Sequence, residues 1–477
     1  MAITITDEVL VAYSQCPRKA YLLLYSEERG QLHEYHQILE QRRLSNQCKH
    51  LDILRQNNKP NVYPHNDENF RKGCELLINA RLTANELQAD CDVLTKVNKQ
   101  TYEPTIFIGT HSVNDSDRLR LMFIGHVLGK IQGSPPVTGN LVAMDGKPSS
   151  IKLQQGQKTL ISLLDPLQQW VANDSSRTEP PAILNKHCPI CQFRTQCGTK
   201  AEQEDNLSRL NGVTPRAIRR YERKGIFTVK QLSYLFKPRK RKKRAKNPPP
   251  TIHNIELQAL AIRTDRIYLQ ELPTLTRQET ELFLDIESVP DQGLHYLLGL
   301  LVCQGETVTY QPFWANKADD EESIWQAFLA LVNQYPAAPI YHYGSYEPRT
   351  IAKLARQHAT DSENLNKRMI NVHKQIYGKV YFPVYSNRLK DVARFVGATW
   401  THPDASGLQS IVWRYKWDET HENQYKDMLL IYNEEDCRAL KLLVEELFKI
   451  QLSANTLPEV DFADQYKQRT TEASEKV

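Results

Sequence analysis

The sequence predicts an α/β protein in about three parts, and three observations carry that expectation. Apolar strand-like runs alternate with helical stripes over residues 275–452. A close cysteine set, Cys188-Pro-Ile-Cys191 and Cys197, ends a region of mixed helix and strand patterns. A short block of positive charge lies between the two. The length of 477 residues allows about three domains at roughly 100–200 residues each.

Residues 1–200 mix helical patterns with strand-like runs at Ala89–Val97 and Thr105–Thr110. Residues 206–236 read as two short helices, and 237–252 as a basic, proline-rich connector ending in Pro248-Pro-Pro250. Residues 453–477 read as a polar tail without regular structure. Net charge sharpens this division. The chain totals +5, but residues 206–246 hold 15 basic residues and one acid, so the remainder is acidic at −9.

Within residues 275–452, Leu282-Phe-Leu-Asp-Ile-Glu287 reads as a buried strand. Asp285 and Glu287 are two apart, so both side chains leave the same face. Strands are expected at Tyr296–Cys303 and Thr307–Phe313, then a helix on the spacing of Ile324, Ala327, Phe328 and Leu331. Pro339–Tyr343 reads as a further strand, and Gly344 to Glu347 turns into another helix. A last helix is entered at Tyr432-Asn-Glu-Glu-Asp436, with Leu440, Leu443, Val444 and Leu447 as its apolar stripe. Three strands, helix, strand, helix and a final acidic helix is the order of a ribonuclease-H-like fold, a mixed sheet with flanking helices.

In-line hydrolysis of a phosphodiester needs charge stabilised on the attacking and leaving oxygens. Two divalent ions about 3.5–4 Å apart do this. Hard ions such as Mg²⁺ or Mn²⁺ want oxygen ligands. Asp285, Glu287, Glu347 and Asp436 are the candidate carboxylates, and Tyr432 shares the helix face of Asp436 at four residues' spacing. A lone D-x-E is common, and an acid on a helix is ordinarily solvated. Acids on an apolar strand differ, because burying unpaired carboxylates is costly.

The D-x-E strand and the Y-x-x-x-D helix resemble the motifs of DEDD-type 3′–5′ exonucleases in their tyrosine variant. Further similarity lies in Tyr341-His-Tyr-Gly-Ser-Tyr-Glu347, Arg388-Leu-Lys-Asp-Val392, Ala405-Ser-Gly407 and Tyr432-Asn-Glu-Glu-Asp-Cys437. Together these resemble RecB-like nucleases that end in a ribonuclease-H-like exonuclease domain. The resemblance implies two bound Mg²⁺ or Mn²⁺ ions and a water oriented by Tyr432. The second motif of such exonucleases carries Asp where this chain has Glu347, one methylene longer. Asp391 is a spare acid that is a candidate accessory.

Cys188, Cys191 and Cys197 give C-x-x-C-x5-C, and Cys16 lies far upstream. All-thiolate ligation suits zinc or an iron–sulfur cluster. One early and three late cysteines resemble the iron–sulfur nucleases of the AddB type, where a 4Fe-4S cluster ties the ends of a PD-(D/E)XK-like domain. The resemblance favours the cluster over zinc, in a structural role. That domain's own catalytic set is degenerate or unusual here. Asp92 looks like its first acid and Glu103 stands in the following hairpin, but Gly109 and His111 occupy the places expected for an acid and a lysine.

Thr214-Pro215 is a good helix start, followed by Arg216, Arg219, Arg220, Arg223 and Lys224 as one basic stripe. The pair of short helices resembles a helix-hairpin-helix unit, which holds phosphates by backbone N–H groups and basic side chains. Lys240, Arg241, Lys242, Lys243 and Arg244 follow in the connector. Such a run is also read as a solvated linker or a nuclear-localisation pattern. Beside the basic stripe it favours salt-dependent, non-specific backbone contact.

Several classes are excluded. The longest apolar run, near Tyr296–Cys303, is too short to span a bilayer, so no membrane partner is expected. The N-terminus lacks a signal-peptide pattern, which points to the cytoplasm and to thiols or metal ligands among the nine cysteines. The expected function is a metal-dependent 3′–5′ exonuclease in repair, recombination or nucleic-acid turnover, acting on nucleic acid, with DNA favoured over RNA. The alternative is a weakly active or inactive nucleic-acid-binding subunit of a repair or recombination assembly. A helicase or recombination partner is compatible with either, since the chain holds no G-x-x-x-x-G-K-[ST] loop of its own.

Overall fold

A computed structural model of the chain describes residues 3–57, 61–98, 101–173, 178–238 and 252–467. Two units result, 1–199 and 200–477. The expected basic run at Lys240–Arg244 lies outside the described residues.

In the first unit, seven strands form one mixed sheet: β1 (Ile5–Thr6), β2 (Val62–Pro64), β3 (Leu76–Ala84), β4 (Leu87–Lys96), β5 (Tyr102–Phe107), β6 (Thr138–Val142) and β7 (Pro148–Lys152). The order is β2-β3-β4-β5-β6-β7, with β1 parallel to β4. β3, β4 and β5 make an antiparallel meander, and β6 returns parallel to β5. A parallel return needs a crossover, here the helix Asp115–Gln132. Asn114 caps it in a reciprocal pair with Asp117, and Leu121, Phe123, Ile124, Val127 and Leu128 bury its inner stripe.

In the second unit, two short helices, Pro215–Glu222 and Val229–Ser233, follow the caps Thr214 and Thr228. The main sheet contains β9 (Thr280–Val289), β10 (Leu294–Gln304), β11 (Thr307–Trp314), β12 (Ile340–His342) and β13 (Met369–Asn371) in the order β11-β10-β9-β12-β13. β9 to β11 are antiparallel neighbours, whereas β12 joins β9 in parallel. Every residue of β10 except Gln304 is buried. Covering both faces is what makes this strand a continuous apolar run rather than an alternating one. The helix Asn423–Ser453 packs over β9 and β10 and buries Leu440, Leu443, Val444 and Leu447.

A third, small sheet joins β8 (Ile267–Leu269), β14 (Val380–Tyr381) and β15 (Val460–Phe462) in the order β14-β8-β15. This corrects the expectation of a structureless tail from residue 453. β15 lies parallel to β8, and Val460 and Ala463 are buried. The segment is polar in composition, but among its described residues Ala454, Val460 and Ala463 are buried and Leu457 and Phe462 pack against the core.

Candidate active site

Strand β9 supplies the first two acids. Asp285 stands opposite Gly299 of β10, and Glu287 opposite Leu297. Gly299 has a steric reason: a Cβ there would meet Asn433 Oδ1 at 1.5 Å. The space admits Asn433 from the long helix, whose Nδ2 donates to Asp285 Oδ2 at 2.6 Å. The Tyr310 hydroxyl donates to Asn433 Oδ1 at 2.7 Å and so fixes the amide's orientation. Glu287 Oε2 accepts from the Ser410 hydroxyl at 2.7 Å.

The long helix supplies the third acid. Asp436 accepts from Trp400 Nε1 at 2.7 Å, and the Tyr432 hydroxyl is near enough to help lower its pKa. The spacing of four residues thus puts Tyr432 on the side of the helix that carries Asp436. Asp285, Glu287 and Asp436 each offer an oxygen, and these oxygens lie within 4.8 Å of one another. Among the described residues no other group of three or more potential ligands is this tight.

Like charges at such range, away from water, resist ionisation. Burial, then Asp436, Glu287 and Glu347, push the Asp285 carboxyl well above the usual range. Burial pushes Glu287 up to about 8, against the Ser410 hydrogen bond. Burial pushes Asp436 up to about 6, against Lys390, Trp400 and Tyr432. Lys390 is the cation of the site. Its Nζ lies 4.2 Å from the Tyr432 ring centroid and 5.1 Å from that of Trp400. Burial lowers its pKa, while Asp436, Glu287 and Asp285 hold it up. One ammonium against several carboxylates leaves negative charge, and the donor set is all oxygen. That is the chemistry of a hard divalent cation.

Glu347 takes a different place from the other three. It lies in the first turn of the helix Tyr346–Gln357, only 5% exposed, with Oε2 3.3 Å from His342 Nδ1. It is outside the tight group, yet its charge acts on Asp285 and Glu287. Asp391, on the helix Leu389–Phe395, sits beside Tyr343, whose hydroxyl pKa it helps raise after burial, and it is not in the tight group. Its neighbour Lys390 is the residue of that helix that faces the carboxylates. Lys390, Trp400, Ser410 and Asn433 are site residues that sequence spacing does not announce, although Lys390 and Asn433 fall inside matching motif segments and Ser410 lies beside one.

In the first unit, Asp92 is satisfied by protein. Its Oδ2 accepts from the Phe107 backbone N–H at 2.7 Å, and its Oδ1 accepts from Gln47 at 2.7 Å and lies 3.4 Å from Arg43 Nη1. Glu40 in turn pairs with Arg43 at 2.7 Å. Glu103 does not join Asp92. It pairs across the ladder with Thr95 and accepts from the Thr138 N–H at 3.1 Å. At Gly109 a Cβ would meet the Leu39 carbonyl oxygen at 2.1 Å, and His111 Nδ1 lies 3.3 Å from Arg42. The places of an acid and a lysine are thus taken by helix packing and a second arginine.

Cys16, Cys188, Cys191 and Cys197 line one small cavity. Cys16 lies between the helices Asp7–Gln15 and Pro17–Tyr25, Cys188 and Cys191 bracket a tight turn, and Cys197 lies in the helix Arg194–Gln203. Burial raises the Cys188 thiol pKa, and the other three sulfurs add to it. The Cys197 thiol is also raised by burial, against the Arg18 hydrogen bond. No three of these sulfurs lie within 4.8 Å of one another. Arg216, Arg219, Arg220, Arg223 and Lys224 are all exposed at or beside the helix Pro215–Glu222.

No helix among the described residues is long and apolar enough to cross a membrane. A search of curated proteins finds no match for the chain. Residues 282–448 match the family model of the RNase_H superfamily. This stretch runs from near the start of β9 to the last turns of the helix that bears Asp436, so the tight carboxylate group lies on an RNase H-like domain.

Proposed function

We propose that the chain is a metal-dependent nuclease whose C-terminal domain is a 3′–5′ exonuclease. The tight group of Asp285, Glu287 and Asp436 on an RNase H-like sheet carries this reading. These residues, with Glu347 beside them, would hold two Mg²⁺ or Mn²⁺ ions. Such ions, when bound, polarise the phosphodiester and supply a hydroxide-like nucleophile. Asn433 and Ser410 orient Asp285 and Glu287, and Trp400 and Tyr432 orient Asp436. Lys390 offsets part of the acids' charge and so lets a phosphate approach. The Tyr432 hydroxyl, kept protonated by its burial and by the carboxylates, positions the attacking water.

The exposed stripe from Arg216 to Lys224 grips the backbone of the nucleic acid, DNA in preference to RNA, and Lys240–Arg244 extends it. Cys16, Cys188, Cys191 and Cys197, which line one small cavity, would hold a structural 4Fe-4S cluster, with zinc as the other metal that suits all-thiolate ligation. The first unit, a PD-(D/E)XK-like frame by its meander and parallel return, serves as a clamp for nucleic acid in repair or recombination, beside a helicase or recombination partner in the cytoplasm.

The test is a panel of DNA and RNA strands labelled at either end, with Mn²⁺ or Mg²⁺. Metal-dependent release of mononucleotides from the 3′ end is the expected result. Salt-sensitive binding without any metal-stimulated degradation selects the second reading, an inactive binding subunit. The contact of Glu347 Oε2 with His342 Nδ1 at 3.3 Å, outside the tight group, favours that rival. For the cysteines, a brown preparation with iron and sulfide is expected, and a colourless one with stoichiometric zinc refutes the cluster.

A further inference from the structure

Beside the carboxylates, the helix Leu389–Phe395 turns two cations toward one aromatic ring. Lys390 and Arg394 are one helical turn apart, and both reach Trp400. Lys390 Nζ lies 5.1 Å from the ring centroid, and the Arg394 guanidinium carbon 5.4 Å. The ring itself is held. Its Nε1 donates to Asp436, and the next residue, Thr401, donates its backbone N–H to Glu435 at 2.8 Å. The aromatic platform is thus anchored to the long helix that carries the third acid of the site.

Like charges four residues apart on a helix repel. After burial, Arg394 is the charge that works against the Lys390 ammonium. A nearby acid would relieve this, yet neither cation makes an ion pair among the described residues. Lys390 uses one of its N–H donors on the Ala405 carbonyl. Arg394 is exposed, and its guanidinium has no hydrogen-bond or ion-pair partner among the described residues. Its planar fork of donors is open to solvent on a fixed aromatic support.

We propose that Arg394 binds the phosphodiester next to the one that lies at the carboxylates. Two cations without an acid ask for an anion, and a guanidinium suits the paired oxygens of a phosphate. The two cations are not equivalent. Lys390 is among the charges that chiefly shift Asp436 and Glu287, and Arg394 is not. Four residues of helix rise about 6 Å, which is of the order of one nucleotide step along a strand. Lys390 therefore serves the phosphate at the acids, and Arg394 serves its neighbour. At a 3′ end that neighbour is on the 5′ side, an assignment of direction that rests on the nuclease reading. The substrate this selects is a strand of at least three nucleotides, since a dinucleotide has one phosphodiester and leaves Arg394 empty.

The test uses the full chain and a single-stranded tetranucleotide with a 5′ fluorescent label. Binding is read by anisotropy in Ca²⁺, and nucleotide release is read separately in Mn²⁺. One phosphate at a time, the last or the last but one, is neutralised as a methylphosphonate. Arg394→Ala, at an exposed residue and so safe for folding, should weaken binding of the unmodified strand about tenfold. Neutralising the last but one phosphate should cost wild type the same and cost the variant nothing more. Neutralising the last phosphate should leave the variant's deficit in place. Arg394→Lys should regain most of the affinity. The log–log salt slope of Arg394→Ala should be shallower by about 0.7, the share of one phosphate contact on a single strand. An equal deficit on every strand, no deficit, an unchanged salt slope or no measurable binding overturns the proposal. Arg394-dependent binding without nucleotide release sinks the nuclease reading alone. Release that is indifferent to Arg394 and to the neutralised phosphate sinks this proposal alone.

Discussion

Asp92 and Asp285 each sit on a buried strand of a mixed sheet, yet their surroundings are opposite. Asp92 is met by a backbone N–H, an amide and an arginine. Asp285 is met by Asn433 and then by other acids. The first carboxylate is complete within the protein, so removing its charge harms the fold. The second belongs to a group that is negative without a cation, so removing its charge harms binding of that cation. Position on an apolar strand does not by itself distinguish structure from chemistry, but the sign of the neighbours does.

The largest expected contrast is in turnover. Asp285→Asn should lower metal-dependent nucleotide release on the order of 10³-fold or more, because the tight oxygen group loses one member. Asp92→Asn should leave the rate within about twofold when both are compared by initial rates on the same labelled strand. Equal losses in the two variants would erase the distinction between the sites.

Stability should show the reverse contrast. Asp92→Asn turns an amide N–H₂ toward either the Phe107 N–H or the Gln47 amide donor and is expected to cost ~1–3 kcal/mol of unfolding free energy. Asp285→Asn relieves repulsion among Asp285, Asp436 and Glu287, so the metal-free protein should be no less stable than wild type in urea. Mn²⁺ should stabilise wild type by mass action, ~2.7 kcal/mol at a hundredfold excess over Kd, and should not stabilise Asp285→Asn. A metal-free Asp285→Asn protein that melts well below wild type would mean that the carboxylates are structural.

A further effect concerns a buried base rather than acids. Burial, aided by His373, pushes the His253 pKa down to about 4 from the ordinary 6.5. The unfolded chain therefore binds the proton more readily than the folded one between these values. Stability due to His253 is complete above pH 6.5 and is lost as the pH falls toward 4, at about 1 kcal/mol per pH unit. His253→Phe should flatten that slope in denaturant titrations, and an unchanged slope would assign the acid sensitivity elsewhere.

The sequence made the main sheet and its acids readable because both follow simple periods. Two-residue spacing placed Asp285 and Glu287 on one face of β9, and four-residue spacing placed Tyr432 beside Asp436. Lys390 and Asn433 lie inside matching motif segments, but their roles and that of Trp400 were not readable, because they reach the acids across elements with no fixed period. Gly299 looks like any strand glycine until Asn433 is seen where its side chain would be. The sheet β14-β8-β15 was invisible for another reason. Its strands have two or three residues, too few for a pattern, and β14 and β15 pair with β8 from more than a hundred residues away. The cysteines were the reverse case, since their spacing alone grouped three of the four.

Mn²⁺ binding bears most directly on the claim that the acids of the C-terminal domain, and not Asp92, form the metal centre. Calorimetric titration of the full chain and its Asp285→Asn and Asp92→Asn variants measures this without reference to any substrate. Saturable binding to wild type and Asp92→Asn, lost in Asp285→Asn, is the predicted result. Undiminished binding to Asp285→Asn, or loss of binding in Asp92→Asn alone, would contradict the account.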